Sequence, residues 1–206
     1  MISLKNICFN YKNLRVFEDL NLEISENKII GIFGKNGVGK TTLLKLILQV
    51  EHQQAGQIKF DFDQTPKLQR FGALIESPPL IDYMTVYENL NYKRLSLGIV
   101  KDCVEEMINC CHLEQYQHVK IKNLSLGNKQ KLGIALAIIN KPRVLLLDEP
   151  TNSIDVETSN EIMDVIVSFK NREGCSVIMI SHDLNLLNLY CDQIFRIENG
   201  KIVNEL

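Results

Sequence analysis

Apolar and polar residues alternate in some stretches of the chain and form continuous runs in others. Ile2–Cys8 and Phe17–Ile24 alternate, which predicts half-buried antiparallel strands. Lys28–Phe33 is a short apolar run of the kind found in parallel strands buried on both faces. Apolar residues recur at helical spacing from Leu43 to Val50, and Gln57–Phe62 returns to a period of two. The N-terminal region is therefore predicted to consist mostly of strands with one helix.

The pattern becomes helical in the middle of the chain, from about residue 77 to residue 141. Thr85 followed three residues later by Glu88 is typical of a capping box, so a helix is expected to begin there. Lys101–Cys111 and Asn128–Asn140 have two further helical patterns. We interpret this region as a helical insert within an α/β chain.

Strand and helix patterns alternate again after the insert. Val144–Leu147 and Ser176–Ser181 are predicted buried strands, with a helix over Glu157–Lys170 between them. Ile194–Ile197 and Lys201–Val203 are separated by a Gly-containing turn, which predicts a hairpin. The whole pattern favours a single α/β domain.

Composition excludes several classes of protein. The chain has 206 residues, of which 45% are hydrophobic and 23% charged, as in ordinary soluble globular proteins. Its apolar runs, such as Ile134–Ile139, are far shorter than the roughly 20 residues that cross a bilayer, and Met1–Lys12 lacks the pattern of a signal peptide. A net charge of −2 gives no general reason to expect binding to nucleic acid.

The chain contains six cysteines, and no two of them form a Cys-x-x-Cys pair. Most lie in apolar segments, so we interpret them as buried, reduced thiols of a cytosolic protein. A zinc site at Cys110, Cys111 and His112 is the alternative, and it is disfavoured because adjacent ligands rarely complete a tetrahedron.

A phosphate-binding loop is predicted between the apolar run that ends at Phe33 and the helical pattern that follows. Its pattern is Gly-x-x-x-x-Gly-Lys-Thr, in which glycines let several backbone N–H groups point at phosphate oxygens. Lys40 is expected to reach the β- and γ-phosphates, and the Thr41 hydroxyl to bind Mg²⁺. The predicted nucleotide-binding residues of the loop are Gly34, Lys35, Asn36, Gly37, Val38, Gly39, Lys40, Thr41 and Thr42.

Two acidic residues follow the buried run Val144–Leu147. Asp148 ends the predicted strand, where its carboxylate can hold Mg²⁺. Glu149 comes next and can polarise the water that attacks the γ-phosphate. An acidic pair that only caps the next segment is the alternative, and the phosphate loop in the same chain disfavours it.

A further motif resembles one family. The run Asn123-Leu124-Ser125-Leu126-Gly127-Asn128-Lys129-Gln130 resembles the signature motif of ATP-binding cassette (ABC) ATPases, usually written LSGGQ. The runs 148–155 and 180–183 resemble the Walker B and D-loop segment and the switch histidine of that family, so the resemblance covers essentially the whole chain. It implies a P-loop NTPase core with a mixed sheet and an N-terminal antiparallel β-subdomain, formed by residues 1–76 and 142–206, and an inserted α-helical subdomain at about 77–141.

The resemblance also implies roles for residues outside the phosphate loop. In the family, two ATP-binding domains hold two ATP molecules head to tail, so Ser125 and Gly127 of one subunit are expected to contact the γ-phosphate held by the other. Asp155, which ends the segment that resembles the D-loop, is likewise expected to be a nucleotide-binding residue. Leu126 and Asn128 depart from the motif, which has glycine and glutamine there, and Leu126 must tolerate whatever backbone geometry its position demands.

Three further residues are assigned to ATP by the same resemblance. His182 matches the switch histidine that contacts the γ-phosphate. Tyr11 lies where the family stacks an aromatic ring on adenine, and a structural aromatic residue is the alternative. Val16 is expected to pack beneath the base or ribose.

Glu76 stands where most ABC ATPases have a glutamine that contacts Mg²⁺ and the attacking water. A glutamate can also bind Mg²⁺ but adds negative charge close to a phosphate. We assign Glu76 a catalytic and metal-binding role, with a surface carboxylate as the alternative. Three segments resemble those of the ABC ATPases that serve lantibiotic immunity and bacitracin resistance. They are the run 72–78, Thr85-x-x-Glu88 and Ser125-Leu126-Gly127.

The resemblance implies an ATPase that uses ATP and Mg²⁺ and drives export of antimicrobial peptides or similar amphiphiles. Its partners would be a separate transmembrane permease subunit and a second ATP-binding domain, in a homodimer or a heterodimer on the cytoplasmic face of the cell membrane. An importer ATPase is the alternative, and a soluble non-transport ABC ATPase is disfavoured. The residues expected to dock the permease, unless they pack within the insert, are Leu80, Ile81, Tyr83, Met84 and Tyr87.

Overall fold

The computed structural model describes residues 1–12, 14–62, 67–100 and 103–205. The strands are β1 (Ile2–Tyr11), β2 (Leu14–Ile24), β3 (Ile29–Phe33), β4 (Ala55–Phe60), β5 (Phe71–Leu74), β6 (Val144–Asp148), β7 (Ser176–Ile180), β8 (Gln193–Glu198) and β9 (Lys201–Glu205). The helices are α1 (Lys40–Ile47), α2 (Lys67–Arg70), α3 (Val86–Ser96), α4 (Val104–Cys110), α5 (Leu126–Ile138), α6 (Val156–Glu173) and α7 (Leu184–Tyr190).

The strands form two sheets. An antiparallel sheet has the order β2-β1-β4, and a second sheet has the order β5-β6-β7-β3-β8-β9. The second sheet is mixed, because its strands pair in parallel except at the terminal hairpin of β8 and β9. The predicted α/β fold with an N-terminal antiparallel sheet, a mixed sheet and the C-terminal hairpin is confirmed.

The mixed sheet is buried on both faces, which explains the continuous apolar runs in its strands. Leu145 and Leu147 of β6 pack with the insert helices and α6, whereas Val144 and Leu146 pack with α1 and the antiparallel sheet. Successive residues of a strand point to opposite faces, so one short run supplies both cores. The sheet thus carries α1 and the antiparallel sheet on one side and α3 to α6 on the other.

The helical insert has the three predicted helices with shifted bounds. Thr85 and Glu88 form a complete capping box at the start of α3. The third helix starts at Leu126, two residues before the predicted start, because the Ser125 side chain caps it. The second helix is α4, and the first two residues of its predicted range, Lys101 and Asp102, lie outside the described residues.

The sequence patterns missed three of the named elements, α2, β5 and α7, and overextended one helix. Strand β5 has only four residues and lies so close to α5 that a Cβ at Gly72 would be 2.0 Å from the carbonyl oxygen of Ala137. The prediction also missed α7, although Asp183 caps it by accepting hydrogen bonds from two backbone N–H groups. Helix α1 ends at Ile47, and Val50, predicted to continue it, is exposed beyond its end.

The cysteines divide into buried and half-buried thiols. Cys103, Cys111 and Cys175 are buried, and the other three are half-buried. Among the described residues, no group of three or more His, Cys, Asp or Glu side chains is arranged to hold a metal ion. Nor does any described helix have the length and apolar character that crossing a bilayer requires.

Candidate nucleotide-binding site

The predicted phosphate loop connects the carboxyl end of β3 to the start of α1. Gly39 is left-handed, with φ of 108°, and a Cβ there would lie 2.7 Å from Cγ1 of Val16. Both facts require glycine at this position. The loop therefore turns into α1 directly against Val16, one of the residues expected to lie near the base.

Lys40 is buried within the loop. Its ammonium group donates hydrogen bonds to the carbonyl oxygens of Gly34, at 2.7 Å, and Lys35, at 3.1 Å. A buried ammonium group needs such acceptors, because losing water without replacement is costly. The loop's own carbonyls thus hold the charge beside the start of α1, where backbone N–H groups are free to bind an anion.

Thr41 and Asp148 are brought together from distant parts of the chain. The Thr41 hydroxyl donates a 2.7 Å hydrogen bond to Oδ2 of Asp148, which ends β6 and is buried. A hydroxyl and a carboxylate oxygen are donors that Mg²⁺ prefers, so this pair fits such an ion. Thr42 is buried on α1.

Glu149 and His182 form a second pair at the same edge of the sheet. Glu149 Oε2 lies 2.8 Å from Nδ1 of His182 and also accepts a 3.3 Å hydrogen bond from the His182 backbone N–H. The Glu149 backbone is left-handed, with φ of 50°, and its N–H donates to the carbonyl of Ile180. These bonds fix the Glu149 carboxylate next to Asp148, with its side chain 23% exposed and that of His182 60% exposed.

Two cavities flank the phosphate loop. One of about 510 Å³ is lined by Gly34, Lys35, Asn36 and Val38 together with His182. The structure therefore brings the switch histidine to the phosphate loop, as the predicted site requires.

The lining of the second cavity, of about 310 Å³, includes Val16, Gly37, Val38 and three residues of β2 that the sequence reasoning did not select, Leu14, Arg15 and Glu18. The apolar side chains of this cavity can accept a base or ribose. Periodicity placed Leu14 and Arg15 on no particular surface, so no sequence signal identified them.

Tyr11 is not among the residues that line the second cavity. Its hydroxyl donates a 3.2 Å hydrogen bond to Glu51, and its ring packs edge-on against Phe9 at 4.8 Å between centroids. The expected stacking of Tyr11 on adenine stays a prediction, which requires the ring to turn from Glu51 toward a bound base.

Glu76 follows β5 with a left-handed backbone, φ 64°, and its side chain is 66% exposed. Its Oε1 accepts a 2.7 Å hydrogen bond from the ammonium group of Lys45, which lies on α1 one turn after Thr41. This bond with Glu76 is the main cause that raises the pKa of Lys45. Sequence reasoning missed Lys45, although a residue four positions after Thr41 falls on the same helix face.

Ser125 and Gly127 lie at the start of α5 in the helical insert. The Ser125 hydroxyl caps α5 by accepting a 3.3 Å hydrogen bond from the Asn128 backbone N–H. Leu126 is 55% exposed and is the first residue of α5, with no left-handed backbone. The departure from glycine at Leu126 therefore imposes no backbone strain, because a helical position accepts leucine.

Asp155 caps the start of α6. Its carboxylate accepts a 2.9 Å hydrogen bond from the Thr158 backbone N–H, and this bond lowers the pKa of Asp155. Within the described ranges, no hydrogen bond joins Ser125, Gly127 or Asp155 to the phosphate loop. The structure thus assembles the phosphate loop with Asp148, Glu149 and His182. Residues of the D-loop segment line a cavity of about 380 Å³ together with Glu149 and His182, although Asp155 itself does not.

The residues expected to dock a permease are divided by burial. Tyr83 is 71% exposed, whereas Leu80 and Tyr87 pack against the core. The segment is held by buried Asn89, whose side chain bonds both the N–H and the carbonyl of Ile81. Leu80 and Tyr87 therefore fit the alternative of packing within the chain, and docking of a permease at Tyr83 stays a prediction.

Comparisons with known proteins agree with the fold and identify the family. A family model described as "ABC transporter" matches residues 17–152. The lantibiotic transport ATP-binding protein SrtF of Streptococcus pyogenes is 32% identical over 207 residues, covering 100% of this chain and 90% of SrtF. The methionine import ATP-binding protein MetN 3 of Shouchella clausii is 32% identical over 222 residues, covering 100% of this chain and 65% of MetN 3.

The fold is also similar to solved structures. A dimeric, post-hydrolysis structure of the ATP-binding cassette MJ0796 bound to ADP and Pi superposes with a TM-score of 0.89 and 24% identity, covering 100% of this chain and 98% of that one. At this identity the similarity establishes the architecture, including the insert between β5 and β6.

Proposed function

The chain belongs to the ABC transporter family as an ATP-binding, ATP-hydrolysing domain, and from this we propose that it drives export of antimicrobial peptides or similar amphiphiles through a separate membrane subunit. ATP-binding domains of this family dimerise and pair with transmembrane subunits. The similarity to a lantibiotic transport protein over the whole chain supports the peptide substrate, and so does Glu76 in place of the usual glutamine.

The observation that carries the catalytic part of the proposal is the pairing of Thr41 with Asp148 and of Glu149 with His182 at one sheet edge. Thr41 and Asp148 would hold Mg²⁺, with Glu76 as a further candidate ligand. The ion would neutralise charge on the phosphates.

The remaining groups act on ATP and water directly. Lys40 exchanges its bonds to the loop carbonyls for the β- and γ-phosphate oxygens, while the loop N–H groups hold the phosphates. Glu149 accepts a hydrogen bond from the attacking water and orients it in line with the γ-phosphate. His182 holds the Glu149 carboxylate in place. It also contacts the γ-phosphate from the cavity of about 510 Å³ that it lines together with the phosphate loop.

Ser125 and Gly127 would complete the site of a second domain, with Asp155 at the same interface. A serine hydroxyl and the first N–H groups of α5 would form an anion-binding end for the nucleotide of that second domain. We place the assembled protein on the cytoplasmic face of the cell membrane, where exposed Tyr83 contributes to docking of the permease. No nucleic acid is involved.

Import is the second candidate function, and the methionine-import relative favours it, because this relative also covers the whole chain. The two candidates make opposite predictions about direction. An exporter moves its substrate away from the side on which ATP is bound, and an importer moves it toward that side.

The test uses the chain co-purified with its membrane subunit and reconstituted in vesicles with the ATP sites outward. Export predicts that an amphiphilic cationic peptide stimulates ATP hydrolysis and accumulates inside the vesicles. A complex carrying Glu149→Gln is the control, and it should accumulate none. Stimulation only by methionine or another nutrient with a binding protein inside the vesicle would establish import, and a chain that binds no membrane subunit would overturn both.

A further inference from the structure

Gly127 of the signature is packed against the first turn of α6. A Cβ at this glycine would lie 2.6 Å from Cγ2 of Thr158, and 3.5 and 3.6 Å from its Cβ and Oγ1. Real Cβ atoms essentially never approach another heavy atom as closely as 2.6 Å, so an alanine here would displace one of the two helices. Thr158 is β-branched, and its χ1 angle is restricted to two rotamers in a helix, so its methyl group has less freedom to withdraw than the end of a long side chain.

Thr158 also belongs to the cap of α6. Its backbone N–H donates to the carboxylate of Asp155, which closes the segment that follows Glu149. The side chain of Thr158 therefore touches the signature helix, while its backbone anchors the end of the D-loop segment. A movement of the signature helix α5 is therefore transmitted to the end of the D-loop segment through Thr158.

A second contact holds the same two helices together. Buried Lys131 of α5 forms an ion pair with Glu161 of α6. Position 131 is one helical turn after Gly127, and position 161 is three residues after Thr158, so both contacts lie on one interface. Because one contact is ionic and the other steric, α5 can neither separate from α6 nor approach it without cost.

We propose that Thr158 is a positioning residue for ATP hydrolysis, whose methyl group sets the spacing between α5 and α6. This spacing fixes where Ser125 and Gly127 are presented to the nucleotide of a second domain. The proposal rests on the proposed role of these two residues in completing the partner's site. It also explains the glycine at position 127 by contact within one chain rather than by contact with a phosphate.

The test compares Gly127→Ala, Thr158→Ser and the double variant. Thr158→Ser removes Cγ2 but keeps Oγ1 and the backbone N–H that caps α6. We expect Gly127→Ala to lower hydrolysis by about 30-fold and Thr158→Ser by about threefold, and the double variant to recover to within about fivefold of the original chain, a coupling typical of residues in direct contact.

Gly127→Ala with Thr158→Val is the matched control, because valine keeps a methyl group at the Cγ2 position. This double variant should remain as inactive as Gly127→Ala. The thermal unfolding midpoint should follow the same order, since the clash is present in the isolated chain. If Gly127→Ala is too unstable to purify, recovery of soluble, folded protein by serine but not by valine is the readout.

Two outcomes would overturn the proposal. If serine and valine at position 158 leave Gly127→Ala equally inactive, the space at Gly127 is required by something other than Thr158. If Gly127→Ala keeps full activity and stability, Thr158 places no steric limit on the side chain at position 127. Failure of the proposed function would give a different result from failure of the Thr158 proposal. If the proposed function is wrong, Glu149→Gln and Ser125→Ala leave hydrolysis intact, whatever the effect of substitutions at Thr158.

Discussion

The phosphate-loop side of the molecule and the signature side differ in how far their polar groups are paired within the chain. Asp148 and Glu149 each have a partner from another segment, and Lys40 is bonded to carbonyls of its own loop, so the positions of all three are set before any ligand binds. Ser125 has only its own helix as a partner, and Leu126 projects into solvent. The groups of one side are therefore held together within the chain, and the other side is a surface that we propose completes the site of a second domain.

This difference separates two kinds of effect that a substitution can have. On the phosphate-loop side, a change acts on the chain's own nucleotide. On the signature side, a change should, under the proposed function, act on a nucleotide held by the second domain, and only when two domains are together. ATP binding by a single chain and hydrolysis by a dimer are the measurements that distinguish the two sides.

The largest effect is expected for Glu149→Gln. The amide keeps the size of the side chain but loses the charge that orients water, so hydrolysis should fall by about 10²- to 10⁴-fold. ATP binding should be retained and an ATP-bound dimer should accumulate, as measured by turnover and size-exclusion chromatography with ATP. Near-normal turnover would show that Glu149 is not the group that polarises water.

The signature side is tested by Ser125→Ala, with Thr85→Ala as the matched control. Both residues cap a helix of the insert through a hydroxyl group, so each change should lower the free energy of unfolding by about 1 kcal/mol. Only Ser125→Ala should also reduce hydrolysis, by about tenfold or more, because only that cap is presented to a phosphate.

The same pair of variants should leave ATP binding to a single chain unchanged, as measured by nucleotide fluorescence. Equal losses of hydrolysis in the two variants would contradict the division into two sides. Such equal losses would indicate that both caps of the insert affect hydrolysis only through the stability of the fold.

Glu76 lies between the two sides, since its loop joins β5 to the insert and its carboxylate binds Lys45 of α1. We expect Glu76→Gln to keep basal hydrolysis within about tenfold, or about 1.4 kcal/mol in the barrier. Peptide transport should fall further, because the link between α1 and the insert is altered. The measurements are hydrolysis and vesicle transport for the same complex.

Lys45→Met is the control for Glu76→Gln, since it removes the cationic member of the ion pair and leaves the Glu76 carboxylate in place. If the pair transmits the state of α1 to the insert, both variants should uncouple transport to a similar extent, and the double variant no further. A collapse of hydrolysis in Glu76→Gln alone would instead make Glu76 a direct catalytic residue.

Sequence patterns predicted the elements that have a strong period or a cap, and missed those that depend on close packing. The buried strands β3, β6 and β7 and the capped helix α3 were predicted because each has a local signal. Strand β5 was missed because four residues with a glycine have no clear period, and that glycine is required by the approach of α5.

The same limit applies to the site. Motifs identified Thr41, Asp148 and Glu149 because their chemistry is tied to fixed spacing in the sequence. Lys45 and Thr158 were missed, since their roles follow from contacts between segments 31 residues apart in both cases. No single-segment pattern contains that information.

The smallest effect is expected for Leu126→Gly, which restores the residue usual in the family. Leu126 is exposed at the first position of α5 and has no left-handed backbone, so its geometry does not require glycine. Glycine there should lower the free energy of unfolding by about 1 kcal/mol or less, because of its larger entropy in the unfolded chain. Hydrolysis by the dimer should change by no more than about threefold, or about 0.65 kcal/mol. Thermal unfolding and turnover measure the two effects. A larger gain in turnover would mean that the Leu126 side chain holds the two domains apart, and a large loss would mean that it contributes to their contact.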